Sequence, residues 1–400
     1  MRPSQLVLVD YRADRVYGIS DTTATLHGPG PGRGHAAEHA GVLSLGGTSG
    51  GHAFADDLRG ELIVVRQGVA ATVPVATPVE HIASDPSGRY VVATTGFGAN
   101  SEPWSDVVTV VDLDTNTSRR FRSRIAEPGA GLVRDRATGE PFIVLRHRSP
   151  GAIEALALAA ALRVGPHVPV LRGAMTEVAD DGHGDVADAR TGIFATATSR
   201  GLERFAVEAG VPVPLGIVPW PVPGRAFYLR MDSDAGKALG VVRGGPANPT
   251  AWAEWTNHLV EIDLTTGRTA HASLPPGLAF RFALARTRAA VATIHPDGDQ
   301  LTIFERQRPQ LRIHRQLSLP DMSAPPTPGR LPWDPVGDAP AQRRAVALAP
   351  AGDTVAVTRG GDGELHLIAD RSFETVTVPT PVDEGGLLFW PGGPHDGMGR

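Results

Sequence analysis

The sequence has no cysteine and only one lysine, Lys237, in 400 residues. Without cysteine the chain has no disulfides, no thiolate nucleophile and no cysteine metal ligands, so histidine, aspartate and glutamate remain as the ligands that a metal could use. With a single lysine, the sequence offers no P-loop lysine for phosphate and disfavours Schiff-base chemistry. Arginine must therefore carry any anion binding.

Long hydrophobic runs and an excess of positive charge are also missing. The composition is 41% hydrophobic and 20% charged, and no apolar run approaches the roughly 20 residues of a membrane span. Residues Met1 to Asp10 do not resemble a secretory signal, which predicts a cytoplasmic protein without membrane contact. A net charge of -5 disfavours nucleic-acid binding, because that function requires a broad basic surface.

Short runs of alternating apolar residues recur along the chain, with Gly, Pro, Asp or Asn between them. This pattern is typical of meandering antiparallel strands. Long amphipathic helices are missing, and the alanine-rich segment Ala152 to Leu162 fits a helix or a strand equally well. The pattern predicts an all-β protein.

A longer repeat of about 40 to 60 residues lies above the strand period, as in proteins in which each four-stranded sheet is one propeller blade. The clearest unit is Glu61 to Thr95, in which His81 and the DPSG turn at 85–88 lead into a strand from Tyr90. This unit resembles the YVTN/NHL-type, WD40-like propeller repeat. The resemblance implies that an outer strand of one blade passes to the inner strand of the next.

The repeats predict a single β-propeller domain over residues 1–400, with eight blades. Residues 1–30 and 385–400 would together form the closing blade, which removes free sheet edges. If residues 1–20 pair elsewhere, seven blades result. The expected inner strands begin near residues 39, 81, 131, 183, 225, 281, 344 and 386.

The connections of a propeller alternate between two faces, and the face at which the inner strands begin is called the upper face below. Several predicted upper loops are long, whereas the lower face is expected to hold only tight turns, and long loops are more often functional. Four tryptophans fall in the upper loops: Trp104, Trp252, Trp255 and Trp333. They are either hydrophobic lids over blade edges or surfaces on which a ligand stacks.

Imidazole and guanidinium side chains recur where the inner strands begin. These residues are His39, His81, His183, Arg225, Arg281, Arg343 and Arg344. On a chain of net charge -5, such a ring would concentrate positive potential in a central funnel and attract an anion. The alternative is structural, with the histidines bonding the backbone of a neighbouring blade and the arginines paired with acids such as Glu38, Glu80 and Asp185.

A variant of the ring hypothesis places zinc or a similar divalent ion on three histidines and one carboxylate, which suit such a metal. The candidate ligands are His39, His81, His183 and Asp185. The neighbouring arginines count against this variant, because they repel a metal ion.

Three segments carry a second resemblance: the opening LVLVDYRADRVYGIS, the triplet His183-Gly184-Asp185 and the closing FETVTVPTP. Their order is similar to that of periplasmic zinc-chaperone propellers associated with zinc ABC transporters. In that family an HGE-like triplet contributes to a zinc site. The resemblance therefore implies a zinc-ligating role for His183 and Asp185.

The sequence leaves three functional hypotheses. The first is a binding module whose basic funnel recognises a small anionic ligand or the acidic segment of a protein partner, with no cofactor. The second is a propeller enzyme of the lactonase or lyase type, with His81 or His183 as general base or metal ligand and an arginine that stabilises an oxyanion. The third is a zinc-binding chaperone-like protein.

Overall fold

The computed structural model describes twelve segments of the chain. They are residues 6–11, 13–20, 23–30, 40–46, 51–66, 69–96, 106–123, 129–307, 310–332, 334–336, 339–379 and 387–390. None of the helices in these segments is long and apolar enough to cross a membrane.

The described structure consists mainly of strands. In chain order they are β1 (Leu6–Asp10), β2 (Arg15–Ser20), β3 (Thr23–Pro29), β4 (Val42–Ser44), β5 (His52–Asp56), β6 (Glu61–Arg66), β7 (Val69–Pro74), β8 (Val79–Ser84), β9 (Tyr90–Thr95), β10 (Val107–Asp112), β11 (Thr117–Arg122), β12 (Gly129–Arg134), β13 (Pro141–Arg148), β14 (Gly151–Ala157), β15 (Ala174–Glu177), β16 (Asp185–Asp188), β17 (Ile193–Thr198), β18 (Gly201–Glu208), β19 (Val211–Val218), β20 (Arg225–Asp232), β21 (Lys237–Gly244), β22 (Thr256–Asp263), β23 (Thr269–Leu274), β24 (Leu278–Leu284), β25 (Arg288–Ile294), β26 (Gln300–Gln307), β27 (Gln310–Ser318), β28 (Pro335–Val336), β29 (Ala339–Pro340), β30 (Val346–Leu348), β31 (Thr354–Arg359), β32 (Glu364–Ala369), β33 (Phe373–Thr377) and β34 (Leu387–Phe389). The α-helix α1 is Leu158–Leu162, and two 3-10 helices are Pro249–Glu254 and Gly360–Asp362.

Within the described residues, these strands form eight four-stranded antiparallel sheets, which are the blades of a β-propeller, and one small hairpin, β28–β29. Blade 1 is β4–β7, and blades 2 to 6 follow from β8 to β27 in groups of four. Blade 7 is β30–β33. Each described inner strand begins within three residues of its expected start, so the all-β, eight-bladed prediction is confirmed over the seven-bladed alternative.

Blade 8 closes the ring with strands from both ends of the chain. Its order is β34-β1-β2-β3, and Val7 pairs with Phe389 and Val9 with Leu387 in antiparallel register. The expected joining of the terminal strands in one blade is therefore confirmed. The pairing gives β1 hydrogen-bonding partners on both sides, so that its edge is not left open to other chains.

Aspartates at strand ends explain the regular turns of the repeat. Asp85 accepts from the backbone N–H of Tyr90 at 2.7 Å, and Asp135 accepts from the N–H groups of Ala137 and Thr138 at 2.8 and 3.0 Å. Such side-chain bonds hold a tight turn in place. Apolar residues of alternate strand positions pack between neighbouring blades, as in the buried cluster that joins blades 4 and 5.

The segment Ala152 to Leu162 contains both of the expected structures, because β14 ends at Ala157 and α1 follows directly. The expectation that the lower face holds only tight turns is wrong for blade 3. Residues 158–173 leave β14 on that face and run beside the outer edge of blade 2, where Arg122 donates its N–H to the carbonyl of Pro169 at 2.8 Å. This segment gives the open edge of β11 a partner.

Candidate functional site

The predicted ring residues have different environments on the upper face. His39 and two of the tryptophans, Trp104 and Trp333, lie outside the described residues. The remaining positions separate into side chains with internal structural partners and side chains that gather around blades 3, 4 and 5.

Arg344 belongs to the structural group. Its side chain is fully buried and pairs with Asp299 at 2.6 Å, and it donates to the carbonyl oxygens of Thr358 at 3.2 Å and of Pro320. Its neighbour Arg343 is also buried. Arg344 therefore joins two segments of the protein, as the structural interpretation of the ring predicts.

Arg281 lies apart from the cluster of blades 3 to 5, near the first turn of blade 8. Burial and the carboxylate of Asp57 raise the pKa of the Tyr11 phenol, and the guanidinium of Arg281 opposes this rise. Tyr11 also packs against the apolar cluster that includes Phe282 of the same inner strand. Arg281 is thus placed beside a partly buried tyrosine.

The two described tryptophans are buried. Trp252 is 0% exposed and donates its indole N–H to the carbonyl of Arg330 at 2.8 Å, so it joins the loop before β22 to the loop after β27. Trp255 is 3% exposed and packs in the same apolar cluster as Met322. Both side chains have the lid arrangement, in which little ring surface is left for a ligand.

A buried ion pair lies beneath the upper face, between blades 3 and 4. Arg146 of β13 donates from Nε to Asp185 Oδ1 at 2.8 Å and from Nη2 to Oδ2 at 2.9 Å, and both side chains are 1% exposed. Burial tends to raise the pKa of Asp185, but Arg146 more than offsets this and the pKa is lowered. Gly129 leaves space for the pair, since a Cβ there would lie 1.9 Å from Asp185 Oδ2.

His183 lies beside this pair, and its ring N–H at Nδ1 donates to the carbonyl of Phe227 at 2.9 Å. Burial first, then the guanidiniums of Arg148 and Arg146, lower the pKa of His183 to about 3. His81 is close enough to contribute to the same shift. The imidazole of His183 is therefore neutral at physiological pH, and Nε2 carries the lone pair.

The described members of the expected zinc set do not fit a metal centre. Both oxygens of Asp185 accept from Arg146, and two guanidiniums lie near His183. Within the segments that the structure describes, no three His, Asp or Glu side chains come together in a way that could hold a metal ion. A zinc site that includes His39 stays a prediction.

Arg225, the first residue of β20, lies on the upper side of blade 5. It donates from Nη1 to Asp181 Oδ2 at 3.0 Å and from Nη2 to the carbonyl of Asp181 at 2.5 Å. Its guanidinium lies over the Phe227 ring at 4.6 Å. Burial and the nearby Arg148 lower the pKa of Arg225, while Asp181 raises it. Arg225 and Arg148 thus form a cationic cluster, with the neutral ring of His183 beside it.

Arg243 completes the cluster, and sequence reasoning missed it. It lies on β21 directly opposite Arg225 in the register of the blade. Its guanidinium lies over the rings of Phe227 at 4.2 Å and Trp255 at 3.8 Å. Among the described residues, no carboxylate pairs with it. Burial and Arg225 lower its pKa to about 10, so Arg243 is a cation at neutral pH without a neutralising partner in the segments that the structure describes.

The lower face carries a cavity whose charged lining residues are mainly aspartates. This cavity of about 280 Å³ opens along the inner strands, and its lining includes Asp85, Asp188, Asp234 and Arg190. Two of these carboxylates are already used, because Asp85 accepts from Tyr90 and Asp188 accepts from the N–H of Arg190 at 3.0 Å. In the part of the chain that the structure describes, the unneutralised Arg243 lies on the upper face instead.

Comparison with known proteins gives a likeness of fold. No family model matches the chain, and no curated protein is similar to it in sequence. The structure of apo AztD from Citrobacter koseri matches with a TM-score of 0.61 at 13% identity, covering 97% of this chain and 98% of that one. The dihydro-heme d1 dehydrogenase NirN, in complex with DHE, matches with a TM-score of 0.55 at 14% identity, covering 96% and 77%.

These likenesses support the β-propeller fold. The identities of 13% and 14% are too low to carry a ligand or an activity from either protein to this chain. The resemblance of the repeat to the YVTN family is not shown by any family model and stays a prediction.

Proposed function

We propose that the upper face of blades 3 to 5 binds a small anionic ligand through Arg243, with Arg225 and Arg148 beside it. The observation that carries the proposal is the Arg243 guanidinium, which is partly buried over two aromatic rings and has no carboxylate partner in the described structure. An acidic side chain of a protein partner would present the same carboxylate chemistry.

The electrostatics of the cluster favour an added anion. Arg225 pairs with Asp181 and lies near the guanidiniums of Arg148 and Arg243, which repel it. Removing a cation from water costs free energy unless a counter-charge or hydrogen bonds offset the loss. An anion on Arg243 supplies both, and guanidiniums bind oxyanions through charge-assisted hydrogen bonds.

The alternative hypothesis of a general-base enzyme is less well supported at His183. A general base works best when its pKa lies near the pH at which the enzyme operates. The pKa of His183 is lowered to about 3, so the ring accepts a proton weakly at neutral pH. The His183 ring, with Nδ1 donating to Phe227, serves better as a fixed acceptor beside the cationic cluster.

Replacing Arg243 with Gln should weaken anion binding about tenfold or more, because the substitution removes the unneutralised charge and a charge-assisted contact. Isothermal titration calorimetry with propionate, succinate, phosphate and sulfate at low salt would measure the loss. Arg268→Gln is the matched control, since Arg268 is exposed, belongs to the same blade and causes the same change of charge.

The proposal fails if none of the four anions binds the wild-type protein and native mass spectrometry finds no retained acid. It also fails if Arg243→Gln and Arg268→Gln weaken binding equally, since that result would mean that net charge alone attracts the anion. Binding that falls with added salt and depends on Arg243 supports it.

A further inference from the structure

Asp181, the carboxylate that pairs with Arg225, has a hydrogen-bonding imbalance. Asp181 Oδ2 accepts from Arg225 Nη1 and from the N–H of Ser199, both at 3.0 Å. The other oxygen, Oδ1, is buried and has no hydrogen-bond partner, and the same is true of Arg225 Nε. Asp181 and Arg225 thus carry an unused acceptor and an unused donor, and Arg225 lies directly opposite the unneutralised Arg243 in the register of the blade.

From this pairing we infer that the ligand is an amphoteric organic acid, in which an ammonium group lies next to a carboxylate, as in an α-amino acid. This inference rests on the proposed function and specifies its ligand. The carboxylate of the ligand contacts Arg243 and Arg225. Its ammonium group donates to Asp181, whose side chain is 32% exposed although Oδ1 itself is buried, so the carboxylate must turn to present Oδ1 to the ligand.

A plain anion is a poorer match for this arrangement. An acid bound at the guanidiniums lies near the negative charge of Asp181, and like charges at short distance repel in a site with little water. An ammonium group on the same molecule converts that repulsion into attraction. It also satisfies a buried acceptor, and leaving such an acceptor without a partner is costly.

Three acids with the same carbon skeleton separate the possibilities. L-alanine carries an ammonium group, L-lactate a hydroxyl and propionate only hydrogen at the same carbon. Calorimetric titration of the wild-type protein should give an affinity for L-alanine about tenfold above that for propionate, which corresponds to about 1.4 kcal/mol. L-lactate should fall between them, because a hydroxyl donates a hydrogen bond without a charge.

Asp181→Asn is the decisive variant, and Asp180→Asn is its control, with the same change of charge at an exposed neighbouring position. In Asp181→Asn the affinity for L-alanine should fall about tenfold, while that for propionate should stay unchanged or rise, because a repelling charge has gone. General disruption of the site would instead lower both affinities together.

The outcomes distinguish this inference from the proposed function. Arg243-dependent propionate binding without a preference for L-alanine, or a preference that survives Asp181→Asn, overturns the amphoteric ligand and leaves the anion site in place. Absence of binding by all three acids overturns the inference, and it overturns the proposed function as well when succinate, phosphate and sulfate also fail to bind and no acid is retained. Opposite changes of the two affinities in Asp181→Asn, with none in Asp180→Asn, support the inference.

Discussion

Replacing Arg146 with Met is expected to lower the free energy of unfolding by about 3–5 kcal/mol, because it leaves the Asp185 carboxylate buried without its partner. Both side chains are 1% exposed, so water does not replace the lost hydrogen bonds. Equilibrium urea unfolding, with the midpoint and slope compared with those of the wild-type protein, measures the loss.

The double variant Arg146→Met/Asp185→Val provides the control. Replacing a buried ion pair by apolar side chains of similar size is often neutral in stability or slightly favourable. We therefore expect the double variant to regain most of the stability that Arg146→Met loses. A double variant as unstable as the sum of the two single variants would contradict this explanation, since it would show that the two residues act independently.

Gly129→Ala tests the same pair without removing either charge. The added Cβ would lie 1.9 Å from Asp185 Oδ2 and 2.9 Å from Arg146 Nη2, which is closer than non-bonded atoms approach. The pair must then separate or shift. Gly131→Ala is a useful comparison, because its Cβ would meet apolar atoms of Ala187 and Phe194 at 2.9 Å and disturbs packing only.

Lowering the pH from 6.5 to about 4.5 should destabilise the protein steeply, by about 1 to 4 kcal/mol per pH unit, because three histidines resist protonation in the folded state. Burial, helped by His27, lowers the pKa of His52 to about 4. Burial and then Arg344 lower the pKa of His366 to about 4. The pKa of His183 is about 3.

The direction of the effect follows from the proton balance. Each of the three pKa values lies below the ordinary 6.5. As the pH falls below 6.5, the unfolded chain therefore binds protons that the folded chain does not, and unfolding is favoured. The contribution of each histidine to stability is complete above pH 6.5 and is lost as the pH falls towards the folded pKa. Aspartates whose pKa is lowered, such as Asp263, affect stability only when the pH comes closer to their ordinary pKa of 3.8.

Urea unfolding at half-unit steps between pH 7.5 and 4.5 measures this slope. His52→Gln should reduce it by about a third, because one of the three protons is no longer involved. His167→Gln is the control, since His167 is exposed in the segment beside blade 2. A slope that is flat between pH 6.5 and 5, or one that His52→Gln leaves unchanged, would contradict the assignment.

The blade pattern could be predicted from the sequence because its signals are local. Alternating apolar residues and turn aspartates set each strand and turn, and their spacing placed the eight inner strands. The position of the C-terminal strand Leu387–Phe389 beside β1 followed from counting the inner strands along the sequence. The strands and turns depend on residues close together in sequence, so one sequence was sufficient for them. The terminal strands are far apart in sequence and were assigned to one blade because neither end supplied a complete blade alone.

The candidate site could be predicted only in part. The sequence placed Arg225 and His183 at the start of inner strands, and they do lie in one cluster. It treated Arg344 as equivalent, yet Arg344 pairs with Asp299, 45 residues away in sequence. It missed Arg243, whose position depends on the pairing of β21 with β20.

The sequence by itself therefore determined which residues are cationic and which strand begins with each of them. Only the tertiary structure decided which cations are neutralised. A charge is neutralised by an acid within a few ångströms, and the acids that reach Arg146, Arg225 and Arg344 come from neighbouring blades. Arg243 lies opposite another arginine and over two rings, all within blade 5, and these contacts depend on the pairing of β21 with β20 and on the position of the loop before β22.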